Sequence, residues 1–257
     1  MHFPTAIAVL ATAASAAALP TNNQTPNPSS LARRAVAGKS TFYGGNVQGG
    51  TCSFSTYKLP AGLYGTAFSG QVWDSAANCG GCVKVSHGGK SIVAMVRKQS
   101  KQNRNQNQCE ESTTNTLPQI VDKCPECDAG HLDLFENAWS ALESDKGKGI
   151  IDTSYEFVDC GSAVTGPLTI HLKTGVSQYW FSAQVVNANR RTAKLEVSTD
   201  GKTWKEAKRT DYNFFEIPSG VGAAKASVRV TSGDGKVVVV KDVAMTPDLS
   251  VQGPGNY

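Results

Sequence analysis

Short runs in which apolar and polar positions alternate recur through most of the chain. In the first half they fall at 41–43, 64–68, 82–86, 92–96, 119–122 and 155–158. A period of two, bounded by turns such as Gly44-Gly45 and Gly88-Gly89, predicts β-strands. One segment has a helical period instead: Phe135, Ala138, Trp139 and Leu142 lie at i, i+3, i+4 and i+7 and make one apolar stripe. The second half alternates more regularly. Leu168, Ile170 and Leu172 point one way, and Leu195 and Val197 lead into Asp200-Gly201. Val228 and Val230 precede Asp234-Gly235, which is followed by an apolar run at 237–240. Asp-Gly between alternating runs is a strong hairpin signal. Regular strands with turns and no helical pattern predict a β-sandwich for residues 168–257.

The two patterns meet at 162–167, a small, polar, turn-prone stretch ending Thr165-Gly166-Pro167 that reads as a linker. Residues 1–18 are apolar and small-residue-rich, lack acids, and end in Ser15-Ala16-Ala17-Ala18, which reads as a secretory signal peptide too short to span a bilayer. Residues 19–34 are rich in Pro, Asn, Thr and Ser and cannot build a core. They close on Arg33-Arg34, which reads as a pro-segment processing site or, more plainly, as a solvated charge pair. The remaining 35–257 divides into a first domain at 35–161 and the sandwich, each large enough to bury a core. A Gln/Asn-rich stretch at 97–118, holding Cys109, is too long for an ordinary loop and reads as an insertion without its own fold.

Charge divides unevenly. The first domain carries an acidic excess and the second a basic one, with 12 Lys and Arg against 8 Asp and Glu after Gly166. That excess is too small for a nucleic-acid footprint but favours an acidic matrix. No later stretch is apolar enough for a membrane span. All seven cysteines lie between Cys52 and Cys160. Cys79-x-x-Cys82 and Cys124-x-x-Cys127 have zinc-site spacing, but behind a signal peptide the oxidising compartment favours disulfides over metal. An odd count leaves one thiol over.

Two carboxylates carry the candidate chemistry. Asp122 ends an apolar strand and Asp133 precedes the helix, so the pair could flank a sugar groove as acid and base or nucleophile. Asp133 with Glu136 also has capping-box spacing, and Asp122 also suits a structural acid bonded to a nearby loop backbone. Among the histidines only His131 lies near these acids, and a lone histidine reads as structural. Tyr179-Trp180-Phe181 in one strand and Tyr212 in a later one offer rings that stack on pyranose faces, or that pack in the core as aromatics commonly do, at least one of Tyr179 and Trp180 reading as core. A regular strand cannot expose both Tyr179 and Trp180, although a bulge could. Trp204, after the Asp200-Gly201 turn, reads as hairpin packing. There is no G-x-S-x-G and no phosphate loop.

Several of these residues, taken in order, match a known family. Gly38, Thr41-Phe42-Tyr43-Gly44, Asn78-Cys79-Gly80-Gly81-Cys82, Val121-Asp122-Lys123-Cys124-Pro125-Glu126, Leu132-Asp133-Leu134 and Phe157-Val158-Asp159-Cys160 together resemble the first domain of the expansins. Gly166-Pro167-Leu168, the run from Ser177 to Val185, Asp200 to Trp204 and Asp211-Tyr212-Asn213 with Phe215 resemble the expansin carbohydrate-binding module. The resemblance, closest to microbial two-domain members, implies an all-β chain: a six-stranded double-psi β-barrel with one or two short helices, then an immunoglobulin-like sandwich.

It further implies that Asp133 is the acid essential for wall loosening, Asp122 a second groove acid, Glu126 a polar groove residue and Thr41 a groove hydroxyl. Tyr179, Trp180 and Tyr212 match the aromatic platform. Tyr43 is counted with the substrate-binding residues, although it and Gly45 stand where bacterial relatives have small hydroxyl residues. Cys124 stands where those relatives have an aromatic groove residue. By analogy Cys52 pairs with Cys79 and Cys82 with Cys160, while Cys124, Cys127 and Cys109 share one bond and one spare thiol. The implied protein is a secreted, extracellular monomer of the cell wall, acting on cellulose, a xyloglucan-like glucan or chitin. It needs no cofactor or metal and has no nucleic-acid or membrane partner. Its function would be non-hydrolytic loosening. The alternatives are an endoglucanase or lytic-transglycosylase-like enzyme with Asp133 as acid, and a non-catalytic wall-binding protein.

Overall fold

A computed structural model describes residues 35–92 and 117–257. The signal-peptide and pro-segment readings, most of the 97–118 insertion, and Cys109 therefore lie outside the described residues. The first half forms β1 (Val36–Tyr43), β2 (Leu63–Ser69), β3 (Cys82–His87), β4 (Lys90–Ile92), β5 (Leu117–Cys124), β6 (Leu132–Phe135), α1 (Glu136–Leu142) and β7 (Ile151–Val158). The strand order β3-β5-β2-β6-β1-β7 closes on itself because β7 also pairs with β3. That ring is the six-stranded barrel, and closure removes its open edges. β4 is a hairpin extension of β3. The β1–β6 and β2–β5 pairs are parallel, and the other ring pairs are antiparallel.

Five of the six sequence-read runs of this half lie on described strands, and the sixth begins at Ile92, the last residue of β4. β6 was not legible as a strand. It is four residues long and runs directly into α1, so its alternation was masked by the helical period that follows. Asp133 consequently does not cap α1. The N-cap position is Phe135, with no side-chain cap bond, and Asp133 sits mid-strand. In α1, Ala138, Trp139 and Leu142 are buried as the stripe requires, packed with Phe68, Leu132 and Leu134 in the barrel core.

The second half forms β8 (Thr169–Leu172), β9 (Phe181–Val186), β10 (Thr192–Ser198), β11 (Lys205–Arg209), β12 (Phe215–Ile217), β13 (Lys225–Ser232), β14 (Val237–Ala244) and β15 (Ser250–Gln252). One layer runs β14-β13-β10-β11 and the other β11-β12-β9-β8-β15, with β11 shared. Leu168, Ile170, Leu172, Leu195, Val197, Val228 and Val230 fill the core between them. The Asp200 carboxylate accepts from the Lys202 and Thr203 amides, which fixes the β10–β11 turn. Trp204 stacks on the guanidinium of Arg229, on β13, at 4.2 Å.

The two lobes meet across a bonded seam. The buried Gln184 amide donates to the Cys52 carbonyl at 2.7 Å, and Asn213 donates to the same oxygen at 3.3 Å. Trp73 donates through its indole to the Asp211 carbonyl, and Arg191 reaches Asn78 while stacking on Phe157. Disulfides join Cys52 to Cys79, Cys82 to Cys160 and Cys124 to Cys127. The first two are the pairs the resemblance implied, and the third takes both cysteines of the second C-x-x-C.

Candidate functional site

Strand register builds the acidic part of the site. Ala67 on β2 is the register partner of Asp122 on β5 and of Asp133 on β6. Asp133 is in turn the partner of Thr41 on β1. Register partners share a face, so Asp122, Ala67, Asp133 and Thr41 form one row across four adjacent strands. The alternation along β6 explains Asp133: Leu132 and Leu134 are buried in the core, so the residue between them faces out. Asp122 needs an irregularity. The β2–β5 register shifts between Thr66 and Ala67, leaving Val121 as an extra residue. This bulge lets both Ile120 and Val121 be buried and still turns Asp122 outward. The two aspartates are then two strand spacings apart, about 10 Å between backbones, with Ala67 as the strand residue between them.

The two acids have different surroundings. Asp133 Oδ1 accepts from the Thr41 hydroxyl at 2.6 Å, and the same hydroxyl oxygen lies 3.0 Å from His131 Nε2. A hydroxyl has one proton. With that proton on the Asp133 bond, Thr41 accepts from His131 Nε2–H, giving a chain from His131 through Thr41 to Asp133. Burial pushes the Asp133 carboxyl above its usual range. The Thr41 bond and His131 oppose this, and the Glu126 and Asp122 charges add to it. A carboxyl that holds its proton more readily suits donation to a sugar oxygen.

Asp122 is an anchored acceptor instead. Its Oδ1 takes the Thr51 and Lys123 amides at 2.7 and 2.8 Å, and its Oδ2 takes the Tyr43 hydroxyl at 3.3 Å. This is the loop-backbone bonding that its sequence position allowed. Gly50 permits it: a Cβ there would lie 2.6 Å from the Val121 carbonyl oxygen and 3.0 Å from the Asp122 carboxyl carbon.

Tyr43 supplies an aromatic at this edge of the row. Its ring packs on Ala67 and the Cys124–Cys127 disulfide, edge-on to Phe135 at 5.4 Å. Burial, with the Asp122 and Asp133 carboxylates, raises its hydroxyl well above the ordinary phenol range, so it stays protonated. Gly45 is explained by the same ring: it has φ of 83°, and a Cβ would strike Phe135 at 2.8 Å. Glu126 is exposed on the turn closed by the disulfide.

The sandwich aromatics differ from the expected strand. Tyr179 and Trp180 precede β9 and lie in a tight turn in which Ser177 and Trp180 exchange backbone bonds of 2.9 and 3.3 Å. A turn, not a bulge, releases them from strand alternation. Tyr179 is 74% exposed, Trp180 is half-buried against the sandwich core, and Phe181 is buried in it. Tyr212 lies in the turn between β11 and β12 rather than in a strand. Trp180 and Tyr212 are brought together around Lys173, whose ammonium lies 5.9 and 4.3 Å from their ring centroids and 5.4 Å from that of Phe214. No ring contact among the described residues joins Tyr179 to this group. Glu216 completes it, accepting from Tyr212 at 2.7 Å and lying 3.9 Å from Lys173.

A cleft of about 500 Å³ separates the barrel loop that carries Gln48, Gly50 and Ser53 from Lys173, Tyr212 and Phe214 of the ring group. Sequence reasoning missed Lys173, Glu216 and the role of His131. The first two carry no signal without the turns that gather them. His131, two residues before Asp133 and just ahead of β6, had one.

Sequence and structure comparisons bear on this arrangement. The chain is 28% identical to the Clavibacter michiganensis expansin, with a TM-score of 0.69 over 87% of this chain and 98% of that one; that structure is a variant in complex with cellohexaose. The unliganded form superposes with a TM-score of 0.68. Both lobes are therefore shared. The chain is an expansin-like protein. It is also 34% identical over 123 residues to Expansin-YoaJ of Bacillus subtilis, a stretch covering 48% of this chain and about half, 51%, of that protein. Expansin-like protein 5 of Dictyostelium discoideum is 26% identical over 211 residues, covering 78% of this chain and 76% of that one. No family model matches. Among the described residues of this expansin-like chain, no helix is long and apolar enough to cross a membrane, and no cluster of three metal-ligating side chains occurs.

Proposed function

We propose that this protein is secreted to a cell wall, binds a β-linked glucan along the acid row and the Trp180–Tyr212 face, and loosens the wall without cutting it. The Clavibacter michiganensis expansin is known with cellohexaose, which supports a glucan ligand. The observation that carries the non-hydrolytic reading is the state of Asp122. Glycoside hydrolysis needs a second carboxylate free to activate water or attack carbon. Asp122 instead accepts three hydrogen bonds, from the Thr51 and Lys123 amides and from the Tyr43 hydroxyl. Asp133, whose carboxyl pKa burial shifts upward, shares a hydrogen bond with a glucan hydroxyl and so competes with bonds between neighbouring chains. Thr41, Tyr43 and Glu126 line that half, and Tyr179 extends the ring face. The bonded seam keeps the two halves in register, so binding on one orients the other.

Glu126 keeps an enzymatic reading alive, because it is exposed and its charge acts on Asp133. Reducing-sugar release from amorphous cellulose, run beside filter-paper weakening, separates the readings. Weakening without sugar release is expected, and stoichiometric release of new reducing ends would replace the proposal with hydrolysis. Asp133→Asn is expected to abolish weakening while cellulose binding persists; weakening that survives removes Asp133 from its role.

A further inference from the structure

The turn at 210–214 carries Tyr212 and closes on itself through bonds between Thr210 and Phe214. The barrel grips it on both sides of the ring. The Asp211 carbonyl accepts from the Trp73 indole at 2.8 Å, and the Asn213 side chain donates to the Cys52 carbonyl at 3.3 Å. Both sequence neighbours of Tyr212 are thus bonded to the other lobe, although the ring itself belongs to the sandwich.

Arg209, the last residue of β11, ties these anchors together. One guanidinium nitrogen donates to the Ala76 carbonyl of the barrel at 3.3 Å and to Asn213 Oδ1 at 3.2 Å, and the other donates to the Thr192 carbonyl of β10. The same group stacks on Phe215 at 4.3 Å. Burial pushes its pKa down to about 10, and it pairs with no carboxylate among the described residues. A cation taken out of water without a carboxylate is costly, so its bonds across the seam must offset that loss. A planar fork of N–H donors can reach several oxygens at once, which a single ammonium cannot.

The barrel is bent to meet it. Asp74, Ser75 and Ala76 have φ of 48°, 47° and 61°, three successive residues in the left-handed region. Residues with a Cβ visit that region singly, and a run of them carries a steric cost. The run lies between Trp73 and Asn78. It therefore gathers into one short turn the three groups that bond the sandwich: the Trp73 indole, the Ala76 carbonyl, and the Asn78 side chain that accepts from Arg191.

We infer that Arg209 and the left-handed turn at 74–76 form a brace that places the Tyr212 ring against the barrel, which makes Arg209 a positioning residue for glucan binding that acts through Tyr212. The inference rests on the proposed place of Tyr212 in the ring face.

The test is a double-mutant cycle on the full chain, read as the Kd for cellohexaose by calorimetric titration beside the urea midpoint of each variant. Arg209→Lys keeps the charge and loses the fork. Alone it should weaken binding about fivefold, and Tyr212→Ala alone should weaken it about 5–30-fold. In the Tyr212→Ala background Arg209→Lys should add no further loss, because the ring it places is gone. A lowered urea midpoint with an unchanged Kd, or a loss of affinity that adds in full in both backgrounds, would overturn the brace while the ring face stands. Trp73→Phe removes the indole donor and keeps an aromatic ring; it enters the same cycle with the same expected outcome and decides the matter if Arg209→Lys does not fold. If Tyr212→Ala leaves the Kd unchanged, the proposed ring face fails and the brace fails with it.

Discussion

Thr41→Val isolates the bond that ties Asp133 to its strand partner. Valine matches threonine in shape and suits a strand, so the barrel should close unchanged while one hydroxyl disappears. The Thr41–Asp133 bond is 2.6 Å, and the same oxygen is the acceptor for His131 Nε2–H. A hydrogen bond to a charged group contributes about 1.5–3 kcal/mol and a neutral one about 0.5–1.5. The site is only part-buried, so the lower ends apply: about 1.5 kcal/mol with Asp133 ionised and about 0.5 with it protonated.

The sign of the pH dependence follows from the direction of the Asp133 shift. Burial raises its folded-state pKa, so the folded protein holds this proton at a higher pH than the unfolded chain. Stability from this group is therefore lost as pH rises from the ordinary carboxylate range through the folded pKa. Thr41 offsets part of that loss by favouring the ionised form. Removing it deepens the loss only where Asp133 is ionised. Urea unfolding near pH 7 and near pH 3 should show a deficit in Thr41→Val about threefold larger at the higher pH. Equal deficits at both, or a larger one in acid, would refute the assignment of this bond to the ionised carboxylate.

Three further outcomes follow from the geometry. Tyr212→Ala, which empties the ring face beside Lys173, should weaken cellulose pull-down roughly 5–30-fold, as loss of a 1–2 kcal/mol aromatic anchor does, with wild-type unfolding retained. Replacing Cys82 and Cys160 by alanine opens a bond spanning 78 residues and should cost about 2–5 kcal/mol, read as a lower denaturant midpoint; an unchanged midpoint would mean that this pair is not bonded. Gln184→Met removes the buried bond to the Cys52 carbonyl, leaving that oxygen to Asn213. It should cost about 1–2 kcal/mol and lower the affinity for a ligand long enough to touch both lobes more than for one touching the sandwich alone.

Most strands were legible because their alternation is fixed by one buried face, as in the runs around Ile170 and Val228. β6 was not, because four residues ahead of a helix give too few periods to read. The acids were legible as types and as neighbours of turns, but their shared face was not. It depends on a bulge at Val121 and on Ala67 being the partner of both, and pairing between distant strands leaves no local trace. The capping-box spacing of Asp133 was misleading for the same reason: the local pattern was satisfied, and sheet register overrode it. The ring face was legible as an aromatic run but misplaced into strands, since a tight turn and a strand both present consecutive large residues. Lys173 and Glu216, 43 residues apart, were gathered only by the fold.

The central claim is that acid row and ring face bind one glucan chain together. Titration of isotopically labelled protein with cellohexaose, following backbone and side-chain resonances, tests it directly. Signals of Thr41, Asp133, Trp180 and Tyr212 should move together with a single apparent Kd. Movement confined to one lobe, or separate affinities for the two, would contradict it.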